Sequence, residues 1–250
     1  MRAQDLEPEM EELLLRLVPD LANLWQGATE AEIEQIERNT ARPLPRFYRW
    51  FLMRMGRSMG PLTYRSLDLS VSKVIDCSTE FPPMPHSRFL IIGHESDEML
   101  PLHLLYDFEH PARDDARVTK GHLMVGAILD QFETFREMIA WGKFLTWRVG
   151  KLPQRCEGSL VNRGGDVLTL LDPLMKSLGF KTPIPTGPCC ALYETTHAAM
   201  VTSTTPGNDT EHHGFYLGGS DAGRLRRILG EITTDSSLEL KIYEWEPPLA

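Results

Sequence analysis

"GATEAEIEQIERNTARPLPRFYRWFL", residues 27–52, decides how the first half of the chain reads. Thr29 and Glu32 form a T-x-x-E pattern, in which the hydroxyl caps a backbone N–H and the glutamate reaches back to the cap residue. Ile33 and Ile36 then fall on one helical face. Pro43 and Pro45 stop the run, since proline has no N–H to give and disfavours helical backbone in the residue before it. Phe47, Trp50 and Phe51 open a second apolar face. The stretch predicts two helices turned sharply against each other and locked onto a sheet by aromatic rings. It is scaffold.

Upstream, Met10, Leu13, Leu14, Leu17 and Val18 have helical spacing and end at Pro19. Downstream, Leu67, Leu69 and Val71 alternate as a half-buried strand would, and PPMPHS (82–87) reads as a loop. Strands are expected at RFLIIG (88–93), MLPLHLLYDFE (99–109) and GHLMVGAIL (121–129), divided by acidic turns. Phe132, Phe135, Met138 and Ile139 predict a closing helix ending at Gly142. Helices, then antiparallel strands, then a helix make an α+β domain over residues 1–150.

RVGKLPQRCEGSLVNRGGD (148–166) breaks the composition with glycine, arginine and polar residues, and the domain boundary is expected there, near 150–160. The remainder, 151–250, reads as helix (Val167–Leu178, with Pro173 inside or opening it), strand (Cys189–Thr205), strand (His212–Leu217), helix (Asp221–Gly230) and strand (Leu238–Trp245). In the last strand Leu238, Leu240 and Ile242 should face inward. This α-β-β-α-β order predicts a smaller two-layer sandwich.

With 250 residues, 42% of them hydrophobic and 24% charged, the chain can bury a core in one large or two ordinary domains. Its longest apolar run, Leu123–Leu129, is too short to cross a bilayer, and the acidic start MRAQDLEPEM lacks the basic opening of a secretory signal. A cytoplasmic protein with no membrane partner is expected. Cys77, Cys156, Cys189 and Cys190 have neither the number nor the spacing of a disulfide framework or zinc site, and reduced thiols are expected.

The net charge of −9 is unevenly spread. Residues 1–37 carry ten acids against Arg2 and Arg16, whereas 38–93 carry nine bases against Asp68, Asp76 and Glu80. An acidic chain repels nucleic acid at long range, so a nucleic-acid partner would require Arg42, Arg46, Arg49, Arg54 and Arg57 to form a local patch. The simpler reading is a solvated helix face beside an acidic first helix, with no nucleic-acid partner.

The eight histidines form no H-E-x-x-H and no Cys/His zinc spacing. His94 with Glu95, Asp97 and Glu98 reads as a solvated turn, and His212–His213 as a turn and strand start. Cys189 or Cys190 with Glu194 and His197 resembles a nucleophile, base and orienter, but on one strand Cys190, Glu194 and His197 cannot all share a face. GGSDAGRLRR (218–227) lacks a phosphate-loop pattern and is explained by Ser220 or Asp221 as a helix cap. The sequence offers no catalytic constellation, and neither a metal nor a cofactor is expected.

The opening stretch resembles the start of the SUKH superfamily (Smi/Knr-type domains), which reads G-x-(S/T)-E-x-E-(I/L), an acidic helix, then L-P-x-x-(Y/F)-x-x-(F/L)-L. The matching residues are Gly27, Thr29, Glu30, Glu32, Ile33, Leu44, Pro45, Tyr48, Phe51 and Leu52. FLIIGHESDEMLPLHLLYDF (89–108) is similar to the family's I-x-I-G segment, and ILDQFETFREMI (128–139) to its closing helix. The resemblance covers roughly residues 24–145, and GRSMGPLTYRS (56–66) stands where a D-G-G loop often follows the third helix. It implies a non-catalytic binding protein: in bacteria an immunity protein that covers the active site of a cognate secreted toxin domain, often a nuclease. The alternatives are an interaction or regulatory protein of the same superfamily, or an enzyme with a C-terminal site. If the toxin face is cationic, its contacts are expected among Glu95, Asp97, Glu98, Asp107, Glu109, Asp114 and Asp115.

Overall fold

The computed structural model describes residues 6–40, 42–80, 88–96, 102–121, 128–207 and 210–247. The chain divides into two compact units, Met1–Met138 and Ile139–Ala250, so the division falls ahead of the stretch expected to hold it.

In the first unit, the helices α1 (Pro8–Leu17), α2 (Leu21–Leu24), α3 (Glu30–Thr40) and α4 (Arg46–Met55) come first. A 3-10 turn (Gly60–Leu62), β1 (Leu67–Asp68) and α5 (Val71–Glu80) follow. Then β2 (Phe89–Glu95), β3 (His103–Ala112), β4 (Asp115–Gly121) and β5 (Ile128–Phe132) complete an antiparallel meander in the order β1-β2-β3-β4-β5. The last helix, α6 (Phe135–Phe144), begins in this unit.

The capping box forms as read: the Thr29 N–H donates to Glu32 Oε2 at 2.6 Å, and the Glu32 N–H donates to Thr29 Oγ1 at 3.4 Å. The Arg57 guanidinium and the Thr29 N–H hold the Glu32 carboxyl down to about 2. Ahead of the box, a Cβ on Gly27 would stand 2.0 Å from the Met53 carbonyl oxygen, so only glycine lets this strand of chain lie against the end of α4. Phe47 and Phe51 of α4 meet Phe135 of α6 with centroids 5.6 and 5.1 Å apart, and Tyr48 meets Tyr106 of β3 at 5.5 Å. These edge-on contacts clamp helix to sheet and helix to helix.

Several local readings give way: Phe132, read into the closing helix, ends β5, and His94 and Glu95, read as a solvated turn, belong to β2. The alternation of Leu67, Leu69 and Val71 yields only a two-residue strand, because Ser70 caps a new helix: its hydroxyl accepts from Lys73 N, and α5 starts at Val71. GHLMVGAIL is not one strand, since Gly121 ends β4 and Ile128 opens β5, with 122–127 outside the described residues.

The second unit holds the remainder of α6, a π-helix (Leu145–Val149), β6 (Gln154–Val161), α7 (Val167–Ser177), β7 (Cys190–Glu194), β8 (Ala198–Ser203), β9 (His212–Gly219), α8 (Ala222–Thr234) and β10 (Glu239–Glu246). Its antiparallel sheet runs β10-β6-β9-β8-β7. Asp166 caps α7 through Leu168 N at 2.7 Å, and Asp221 caps α8 through Arg224 N at 2.8 Å. Leu160, Tyr193, Met200, Phe215 and Leu217 line one sheet face and pack with Leu171 and Met175 of α7 and Leu225 and Ile232 of α8. Both helices therefore share one layer.

The expected α-β-β-α-β order is corrected to β-α-β-β-β-α-β. Residues 148–166 are no linker, because Gln154–Val161 pairs along its whole length with β9 on one side and Arg155–Val161 pairs with β10 on the other. Cys189–Thr205 folds back on itself as the hairpin β7–β8. Ile242 does not reach the core: β10 is an edge strand, its register slips between Ile242 and Glu244, and Ile242 stays 40% exposed. No helix among the described residues is long and apolar enough to cross a membrane.

Candidate interaction site

The arginines singled out in the sequence are spent inside the first unit. Glu11 of α1 accepts from Arg54 Nε at 3.0 Å, from its terminal nitrogen at 2.8 Å and from Trp50 Nε1 at 3.2 Å. Arg49 pairs with Glu37 at 2.8 Å and with Glu30, Arg57 with Glu32 at 3.1 Å, and Arg46 with Glu7 at 3.7 Å. Arg42 lies 4.2 Å over the Phe108 ring. The acidic and basic segments of the sequence thus cancel each other in space.

The seven acids proposed as contacts fare differently. Asp107 is buried, takes both nitrogens of Arg88 at 3.0 and 2.8 Å, and accepts from the Glu109 N–H at 3.1 Å. Despite its burial, those bonds lower its carboxyl from the usual range. Asp115 is buried too, and burial lifts its carboxyl to about 6 against the backbone N–H groups at the N-terminus of α6, where Arg136 N donates at 3.1 Å. Both therefore serve as internal ties, and a docking partner would not reach their carboxylates. Glu95, partly buried, pairs with Lys120 at 2.9 Å. Glu109 and Asp114 are exposed, Glu109 beside Arg88 at 3.0 Å and Asp114 at the tip of the β3–β4 hairpin. Asp97 and Glu98 lie outside the described residues.

The C-terminal candidates for chemistry separate. Cys190 is fully buried, Glu194 is held by Arg148 at 3.5 Å, and His197 is exposed in the turn after β7. At GGSDAGRLRR, the Asp221 carboxylate occupies the start of α8. Among the described residues, no group of three or more His, Cys, Asp or Glu is placed to hold a metal ion.

A cleft and a groove open on the described surface. The cleft, of about 410 Å³ in the first unit, is lined by residues between Met55 and Ser70, with Ser96. A groove of about 340 Å³ in the second unit lies between the π-helix and the sheet face opposite α7 and α8. Leu145, Val149 and Gly150 form its helical wall. On the sheet side, register places Glu244 of β10 opposite Glu157 of β6, and Glu157 opposite Tyr216 of β9, in one cross-strand row. The neighbouring row sets Glu246 against Arg155, which pairs with it at 2.8 Å and also donates to the Gly150 and Leu152 carbonyls at 3.2 and 3.0 Å. Arg155 is thereby committed away from Glu157 and Glu244, and among the described residues neither of these has an ion-pair partner. Tyr216 stands 37% exposed with its ring edge-on to Trp141 at 6.0 Å, and burial together with the Glu157 carboxylate raises its phenol.

Sequence reasoning missed this groove because half of it lay in the presumed linker. The available signal was E-W-E at 244–246, whose period of two sets both carboxylates on one face. Compared with known protein families and with curated proteins, the chain matches none.

Proposed function

We propose that this is a non-catalytic binding protein that neutralises a cognate secreted toxin domain by covering its active site, as the resemblance of residues 24–145 to SUKH domains implies. One observation carries the reading furthest: Arg49, Arg54 and Arg57 are paired with acids of their own unit, while Glu109, beside Arg88, and Asp114 are exposed on the β3–β4 hairpin. A surface with its positive charge internally neutralised and its negative charge displayed suits a cationic partner, such as the substrate-binding face of a nuclease. The contact set narrows accordingly to Glu95, Glu109 and Asp114, with Asp97 and Glu98 retained from the sequence. A cytoplasmic site of action and the absence of a cofactor, a metal and a nucleic-acid partner belong to the same proposal.

Co-expression with a secreted-toxin domain sought in the reading frames beside this protein's gene tests it. Growth should be rescued, and the two proteins should co-purify as a complex that blocks toxin activity in vitro. Rescue lost in a folded His197→Ala variant would favour the enzyme reading instead, because His197 is exposed and its imidazole contributes nothing to the core. Capture of a host regulatory protein with no effect on any toxin would favour the regulatory one.

A further inference from the structure

The groove of the second unit combines three features that ask for the same occupant. Glu157 and Glu244 face each other directly across antiparallel strands, an arrangement that destabilises a sheet unless a cation lies between the carboxylates. The one arginine at hand is held by Glu246 and by two backbone carbonyls. The wall opposite is mainly apolar, from Leu145 and Val149 with Thr146 between them, and the row ends on the partly exposed Tyr216 ring. At about 340 Å³ the groove sits at the small end of ligand clefts, which run ~300–1,000 Å³.

From this geometry we infer that the groove seats an arginine side chain presented by a partner protein. The methylene stem would lie along Leu145 and Val149, as long cationic side chains cover apolar surface. The guanidinium would lie between Glu157 and Glu244 and against the Tyr216 ring. Arginine fits better than lysine: its planar fork reaches two carboxylates on adjacent strands at once and stacks on an aromatic face, whereas an ammonium offers a point charge. The inference deepens the proposed function, on which it rests for the partner's class, and it makes the second unit a contact surface in its own right. The chain keeps a like-charged pair that costs stability, as functional sites do when the compensating charge arrives with the ligand.

The test uses the full chain and the peptide acetyl-Gly-Arg-Gly-amide, followed by NMR at the Tyr216 ring and the Trp141 indole. Saturable shifts are expected that weaken as salt rises, with the lysine peptide weaker and the glutamate peptide inert. In Glu157→Gln/Glu244→Gln the arginine peptide should bind about five- to tenfold more weakly. The same variant should melt about 1–4 °C higher, since the opposed charges are gone, which shows that it is folded. Equal titration of variant and parent, or shifts elsewhere only, overturns the assignment. A dimer of the parent chain that the double variant abolishes also overturns it, by making a second copy the occupant. With the cognate toxin in hand, the double variant should bind it at least tenfold more weakly. If it neutralises the toxin as the parent does, the groove assignment falls while the proposed function stands. If no toxin is bound even by the parent, the proposed function falls and the peptide titration decides the groove alone.

Discussion

Arg113, at the tip of the β3–β4 hairpin, donates at 2.8 Å to Glu137, a carboxylate that α6 buries to 1% exposure. Its other terminal nitrogen reaches Glu133 at 3.0 Å. The hairpin that presents it is a two-residue turn, with Ala112 paired to Asp115 and φ of +49° at Arg113 and +61° at Asp114. Positive φ at both central residues is the type I′ geometry, whose twist matches that of the strands but which side chains other than Asn, Asp and Gly resist. The ion pair holds the tip against α6 in a conformation that Arg113 disfavours.

Removing the pair should therefore cost more than a surface salt bridge. Arg113→Ala leaves Glu137 buried without this partner, and a loss of about 1–3 kcal/mol is expected. It should stay below the full penalty for a stranded charge, because Arg113 is itself 43% exposed and water can replace it. Asp114→Gly should do the opposite and add about 0.5–1 kcal/mol, glycine being free to adopt the φ this turn demands. Urea unfolding of both variants decides the matter, and equal midpoints for Arg113→Ala and the parent would refute the role given to the pair.

Asp115 sets a pH dependence in the first unit. Its folded carboxyl lies at about 6, above its ordinary 3.8, so the native state holds the proton more tightly than the unfolded chain. The stability tied to that proton is present below about pH 4 and is lost as pH rises towards 6. Asp115→Asn keeps an acceptor for the Arg136 N–H and removes the buried charge. It should stabilise the protein at pH 7 by about 1–2 kcal/mol, and the advantage should shrink as pH falls to 4. An advantage independent of pH would sink this account.

His213 acts in the opposite direction in the second unit. It is fully buried, and Thr202 donates its hydroxyl proton to the Gly214 carbonyl at 2.8 Å, so His213 Nδ1, 3.2 Å from that hydroxyl, is assigned as the protonated nitrogen. Nε2 is left bare, buried and without a hydrogen-bond partner. Charging the ring would strand a donor in the core, and burial accordingly lowers its pKa to about 4. The folded value lies below the unfolded 6.5, so stability is fully present above about pH 6.5 and drains as pH falls towards 4. His213→Gln should abolish most of that slope, an effect on the order of 2–3 kcal/mol across the window. Thermal melts of variant and parent at pH 7, 5.5 and 4.5 measure it, and parallel curves would contradict it.

What the sequence made legible, and what it hid, divides along physical lines. The capping box, the proline hinge and the aromatic face of α4 were readable because each signal is local: a hydroxyl three residues from a carboxylate, a ring with no N–H, a helical period. β6 was hidden because its necessary residue imitates a linker. A Cβ on Gly158 would meet the Lys241 carbonyl oxygen at 2.0 Å and the Phe215 ring at 2.8 Å, so glycine is there to let two neighbouring strands close in. Asp107 and Asp115 were expected as toxin contacts because a carboxylate's burial depends on partners far along the chain, Arg88 for one and the start of α6 for the other. The groove was hidden for the same reason: Glu157 and Glu244 meet only through the register of β6 and β10.

The corrected β6 changes what a protease should find. A linker at residues 148–166 would be cut first, but Arg155–Val161 is paired on both sides, and opening it requires the sheet itself to unfold. Limited proteolysis of the native protein should therefore leave this segment intact, and cleavage within it should appear only together with global unfolding in denaturant. Early cuts between Gln154 and Val161 under native conditions would refute the strand.

The last prediction concerns the approach of a toxin. An acidic surface meeting a cationic one gains mainly in association rate, since charges at the rim act over a Debye length of about 8 Å at physiological salt and are screened beyond it. Glu109 and Asp114 are exposed and can act in this way, whereas Asp107 and Asp115 cannot without first leaving the core. Glu109→Gln/Asp114→Asn removes two negative charges without disturbing the hairpin, because asparagine tolerates the positive φ at Asp114. Association with the toxin should slow several-fold at low salt and converge on the parent's rate at high salt, with dissociation nearly unchanged. In Glu157→Gln/Glu244→Gln the burden should fall on dissociation instead, because a seated guanidinium is held only after contact. Stopped-flow kinetics at two salt concentrations separate the two surfaces, and a hairpin variant whose association matches the parent's in both salts would move the steering charge off the β3–β4 hairpin.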